Sequence, residues 1–223
     1  MSADTHSSVL KHHFDNLEQQ HSAERLGMWM FLATEVLIFG GLFTGYTVYR
    51  ARYSTDFAVA SHHLNIVIAA VNTVVLLSSS LTMALSVRAV QTGQRRKLLT
   101  CMILTAVLGS MFLVLKAVEY TEDYKENLVP GLAFQDRDWS PRGADPAPVK
   151  MFLMFYYIMT GLHAVHLLIG IAVLAVMTEL ARRNWFSREY YTPIEAWGLY
   201  WHFVDIVWIF LLPLLYLVGA HTR

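Results

Sequence analysis

At 223 residues, 55% of them hydrophobic and only 15% charged, the chain is too apolar for a water-exposed domain of its length, which would carry about 25% charged residues. Its mean hydropathy is +0.40, and 17 basic and 17 acidic side chains cancel to zero formal charge, which leaves no basic face for nucleic acid and no acidic tail. The single cysteine, Cys101, excludes an internal disulfide framework and any cysteine-based metal cluster. An all-α, polytopic membrane protein is the fold class these values point to.

Residues 1–25 read as a polar N-terminal arm carrying His6, His12, His13 and His21. Their spacing matches no ligand signature, so a solvated arm is expected, with weak metal capture as the alternative. The arm lacks the short apolar core and small-residue cleavage site of a secretory leader. Residues 26–223 read as one membrane domain, a bundle of five transmembrane helices. A hydrocarbon core takes about 20 mostly apolar residues per helix, and backbone groups in lipid must bond within their own segment.

The first span covers about 27–49. It holds Glu35 with no basic residue within four positions. Burial disfavours its charged form, so a largely neutral carboxyl is expected there. Its functional reading is a protonatable group near a proton path or a lipid headgroup, and its purely structural reading is a hydrogen bond to another helix. Gly41 and Gly45, with Gly40 beside them, form a small-residue pair suited to close helix packing. The second span, about 64–87, carries Ser78, Ser79 and Ser80, expected to bond back onto their own helix. A basic turn with Gly93 follows.

The third span, about 98–120, carries Lys116 and Glu119 one turn apart near its end, a structural pair whose lysine can snorkel outward. Residues 121–149 are a long polar connection with four prolines and an excess of acids. The fourth span, about 150–181, places His163 and His166 on one face. A second basic break leads to the fifth span, about 195–219, where His202 and Asp205 share a face. Trp185, Tyr190, Tyr191, Trp197 and Trp201 around its start read as an interfacial aromatic belt. Short basic loops stay in the cytoplasm. Arg88, Arg95, Arg96 and Lys97 fall on the same side as Arg182, Arg183 and Arg188, which puts the N-terminus inside and the C-terminus outside.

Ionisable groups inside a bilayer are costly and are functional candidates by default. Three histidines on two helices raise a haem or metal site, yet the Glu-x-x-His motif of di-iron bundles is absent. No phosphate loop, Ser-His-Asp set or paired catalytic carboxylates stands out. No catalytic residue and no metal ligand is therefore assigned.

Four segments carry a resemblance: WMFLATEVLIFGGLF (29–43), LKAVEYTEDY (115–124), FYYIMTGLHAVHLLIG (155–170) and EAWGLYWHFVDIVWIFL (195–211). Over roughly 25–220 the chain resembles subunit III of the haem-copper respiratory oxidases, in the five-helix form that lacks the two N-terminal helices of the longer form. The resemblance implies a non-catalytic subunit of a proton-pumping terminal oxidase in the bacterial inner membrane, packed against the catalytic subunit I and other oxidase subunits. It implies no haem or copper in this chain, with both in partner subunits, bound phospholipid, a role in proton uptake, cytochrome c as the electron donor, and a possible place in a respiratory supercomplex. Glu35 matches the family's buried, carbodiimide-reactive carboxyl, and His163, His166, His202 and Asp205 match its polar helix positions, giving a proton- and lipid-related set. Lys116 stands where the family leads one to expect a neutral polar residue. His202 and Asp205 are expected to satisfy one another or partners on the fourth helix. The alternatives are a quinol oxidase subunit III, an accessory protein of nitric oxide reductase, or a small membrane haem protein using His163 or His166 with His202. A transporter would want inverted repeats and broken helices, and neither is apparent.

Overall fold

A computed structural model describes residues 17–132, 134, 139–188 and 190–218. Among the described residues six α-helices follow one another: α1 (Leu17–Arg52), α2 (Ser54–Ser61), α3 (Ile66–Gln91), α4 (Arg95–Lys125), α5 (Pro146–Arg182) and α6 (Thr192–Tyr216). All but α2 are long and apolar enough to cross a membrane. At 1.5 Å per residue the 25 residues of α6 span about 38 Å and the 37 of α5 about 55 Å, both beyond a hydrocarbon core of about 30 Å. Of the expected polar arm, Leu17 onward already belongs to α1. Residues 1–16, with His6, His12 and His13, lie outside the described residues.

Local chemistry sets most of the boundaries. The Asn65 side chain accepts from the Val67 and Ile68 amides at 3.1 and 3.2 Å and so starts α3. Asp145 caps α5 through the Ala147 amide at 3.0 Å, with Pro146 in the first turn. Three helices stop alike. Gly93, Asn127 and Asn184 take positive φ just past α3, α4 and α5. In each case the following amide bonds back to the carbonyl five residues earlier: Gln94 to Ala89, Leu128 to Asp123, and Trp185 to Leu180. The short α2 fits between α1 and α3. It is pinned to α5 by Phe57 against Phe152 and by Asp56, whose carboxylate accepts the Asp145 amide at 2.9 Å.

The hairpin α3–α4 has the most extensive helix–helix contact, and α6 lies against α3, α5 and α1. Helix α1 sits on the periphery. It turns Leu32, Glu35, Phe39 and Tyr46 inward and leaves Trp29, Met30, Leu37 and Val48 outside. Its last inward residue, Tyr46, donates its hydroxyl to the Leu214 carbonyl near the end of α6.

The expected glycine pair does not pack helices within this chain. A Cβ placed on Gly40 or Gly41 would find no atom within 4 Å, and one on Gly45 would meet only the Phe155 ring, at 3.5 Å. Close approach occurs instead at Gly109, Gly170 and Gly198. Trp201 is likewise no belt residue: it is fully buried between Gly109 and Gly170, whereas Trp185 is exposed.

Candidate functional site

The ionisable side chains singled out in the sequence, His163 apart, fall into three groups inside the bundle. In the first, Glu35 of α1 meets His166 of α5 across 131 sequence positions, with Oε2 2.8 Å from Nε2. His166 Nδ1 lies 2.8 Å from the Leu162 carbonyl, which can only accept, so Nδ1 carries a proton. Nε2 and the carboxyl therefore share one further proton. Carboxylic acid with neutral imidazole, and carboxylate with imidazolium, are both neutral overall, which is how the pair tolerates a poorly hydrated position. The Phe39 ring flanks the imidazole at 5.4 Å. The lone carboxyl expected from local sequence thus has a partner, supplied by the fourth span.

The second group is built on α4. Lys116 is 2% and Glu119 1% exposed, so the lysine points into the bundle and does not snorkel outward. Its ammonium has three donors and uses all of them: Glu119 Oε2 at 3.0 Å, the Tyr156 hydroxyl at 3.0 Å and the Tyr216 hydroxyl at 2.6 Å. Tyr216 donates onward to Glu119 Oε1 at 2.6 Å. Tyr156 has a single hydrogen to place between Glu119 Oε1 at 3.0 Å and Asp123 Oδ2 at 3.1 Å. The Tyr157 hydroxyl also reaches Asp123, at 3.3 Å. One cation and two carboxylates are therefore held by α4, α5 and α6 together. Asp123, Tyr156 and Tyr216 were not among the residues expected from the sequence.

In the third group the expected pairing changes. His202 Nδ1 lies 2.7 Å from the Ser80 hydroxyl of α3 and not on Asp205. Ser80 thus reaches across the bundle, while Ser78 and Ser79 do bond back to the Val74 and Leu76 carbonyls. Asp205 is 2% exposed, and neither oxygen makes a hydrogen bond of ordinary geometry. The Ser80 hydroxyl, which contacts His202, lies beside it.

His163 is 1% exposed, with both ring nitrogens unpartnered between the Phe112 and Trp208 rings at 5.4 and 5.1 Å. Helix α5 thus carries Tyr156, Thr160, His163 and His166 at spacings of four, three and three. This polar stripe is interrupted by aromatic rings at His163, so among the described residues no continuous line of hydrogen-bonded side chains joins the Lys116 group to Glu35. His166 is committed to Glu35 and His202 to Ser80. Among the described residues, no three histidine, cysteine or acidic side chains converge as a metal site.

The comparisons with known proteins converge on one family. The family model described as cytochrome c oxidase subunit III matches residues 6–125 and 149–220. Cytochrome c oxidase subunit 3 of Synechocystis is 31% identical over 193 residues, covering 86% of this chain and 74% of that one. The heme-copper oxidase subunit I+III of Aeropyrum pernix is 30% identical over 204 residues, 87% of this chain and 22% of that longer protein. A protein named "Probable quinol oxidase subunit 3" from Staphylococcus haemolyticus is 26% identical over 209 residues, 92% of this chain and 94% of its own length.

Proposed function

The chain belongs to the cytochrome c oxidase subunit III family, and from this premise we propose that it is the non-catalytic subunit III of a proton-pumping terminal oxidase. Oxygen reduction takes place at haem and copper in a partner, subunit I, against which this chain packs, and cytochrome c supplies the electrons. The observation that carries the reading is the family match across all five membrane helices. The Aeropyrum relative, whose name joins subunits I and III, supports the partnership. Bound phospholipid and a respiratory supercomplex belong to the same reading. The multi-pass bundle lies in the bacterial inner membrane with its N-terminus cytoplasmic. Arg95 bonded to the Arg182 carbonyl and Arg188 bonded to the Thr92 carbonyl support that orientation, because they bring both basic breaks to one end.

The proton- and lipid-related set of Glu35, His163, His166, His202 and Asp205 serves this partner. Within it the Glu35–His166 pair lies at the bundle's edge, since α1 is peripheral. Glu35→Ala leaves His166 Nε2 without its partner, a loss of about 1–3 kcal/mol for a poorly hydrated polar group. The variant complex is expected to reduce oxygen at a nearly intact initial rate, with weakened proton delivery or lipid retention. Proton uptake, turnover lifetime and lipid content that all match wild type would refute that role.

The family reading is tested by removing the chain from the purified complex. The haem spectrum is expected to stay unaltered, and a Soret band in the isolated polypeptide would overturn the assignment. The relative from Staphylococcus favours one second reading, a quinol oxidase subunit III. Assaying the host complex with reduced cytochrome c and with quinol separates the two.

A further inference from the structure

A cleft of about 440 Å³ opens on the α3–α4 hairpin at the end of the bundle that carries the Thr92–Gln94 turn, away from Glu35 on α1. Arg88, Arg96 and Lys97 surround its mouth, and Leu85 and Cys101, each further along its helix toward the bundle's middle, line its inner part. No carboxylate lines it. None of the three cations has an ion-pair partner among the described residues, whereas Arg182 and Arg183 nearby are both paired with Glu179. Arg95, Arg96 and Lys97 are also consecutive in the first turn of α4, which has no acidic residue. There their mutual repulsion adds to the positive end of the helix dipole. The site therefore combines uncompensated positive charge at the depth of a membrane–water interface with an apolar floor running toward the hydrocarbon.

We infer that this cleft binds one anionic phospholipid, its phosphate between Arg88, Arg96 and Lys97 and an acyl chain running past Leu85 and Cys101. Charge complementarity selects an anion. The apolar floor, in helices that span the membrane, selects a lipid over an acidic protein segment or free phosphate. The inference deepens the bound-phospholipid part of the proposed function and rests on the membrane placement of the helices, the cleft and its unpaired cations, so its failure would leave Glu35 and the oxidase assignment untouched.

Cys101, half-buried in the wall and the only cysteine, reports occupancy directly. The full-length chain is reconstituted into phosphatidylcholine vesicles with and without phosphatidylglycerol, and Cys101 is labelled with a neutral maleimide. Phosphatidylglycerol is expected to slow labelling. Each basic residue near an anionic lipid surface is worth about fivefold in binding, so the Arg88→Gln/Arg96→Gln/Lys97→Gln variant should weaken phosphatidylglycerol binding on the order of 100-fold. Native mass spectrometry measures that loss. Leu85→Trp fills the floor without changing charge and should also weaken binding, which attraction to the surface charge alone would not produce. Equal protection by phosphatidylcholine alone, or by inorganic phosphate added to phosphatidylcholine vesicles, overturns the inference. So does protection that appears only in the assembled complex regardless of lipid, which would make the cleft a protein-contact face.

Discussion

Lys116→Met is expected to destabilise the bundle by about 3–5 kcal/mol, because it removes one partner of a buried ion pair and leaves the other charge uncompensated. Glu119 Oε2 loses its cation at 3.0 Å, and the Tyr156 and Tyr216 hydroxyls lose the donor that both accept from. Asp123 lies in the same network, so the vacated position faces two acidic groups. The size depends on burial: an exposed helical ion pair would be worth only about 0.3–0.5 kcal/mol. Lys116→Met/Glu119→Gln removes the cation together with the anion it compensates and is expected to recover much of the loss. Denaturation of the purified chain in mild detergent, followed by tryptophan fluorescence, gives both values. A Lys116→Met curve that overlies wild type would mean that the ammonium carries no structural charge balance. A double variant no better than the single would move the cost to the two tyrosine hydroxyls.

The spans were legible because lipid imposes a length and a composition on each helix, and five stretches meet both. Their ends were less so. A span cut at Tyr120 assigns Asp123 to the acidic connection, yet α4 continues to Lys125 and stops on Asn127 in the left-handed region. With the helix that long, Lys116, Glu119 and Asp123 fall on one face at spacings of three and four, a pattern the sequence does contain. The 8-residue α2 is too short to announce itself, and its hold comes from Phe152 and Asp145 far along the chain. The pair Glu35–His166 was out of reach of any local pattern, since a window around residue 35 cannot include residue 166. Proximity in sequence misled once, at His202 and Asp205: a shared helix face permits contact, but the Ser80 hydroxyl on α3 competes successfully for the imidazole. The small-residue motif misled for a related reason. A GxxxG spacing identifies a surface that can be approached closely, and only the neighbouring helix decides whether it is.

Trp201→Ala is expected to cost about 3 kcal/mol or more, the lower part of the range for emptying a large aromatic site. Lipid tails solvate apolar groups nearly as well as the bundle interior does, so the transfer part of that cost is small and the lost packing is most of it. The packing at stake is tight. A Cβ placed on Gly109 would lie 3.0 Å from the indole, and one placed on Gly170 3.1 Å from it, so α4 and α5 both close onto the ring carried by α6. The ring cannot swing away without losing its Nε1 bond to the Ser79 hydroxyl of α3 at 3.1 Å. One side chain thus spaces four of the five membrane helices. Trp201→Phe should cost less than Trp201→Ala, because it forfeits the Ser79 bond but retains part of the contact. Gly170→Val in the wild-type chain should destabilise by overpacking, about 1–3 kcal/mol. Placed in Trp201→Ala, the same valine enters the vacated volume, so the double variant should be more stable than the sum of the singles predicts. The same detergent denaturation measures all four variants. Strict additivity of Gly170→Val and Trp201→Ala would show that the glycine and the indole do not share the contact described.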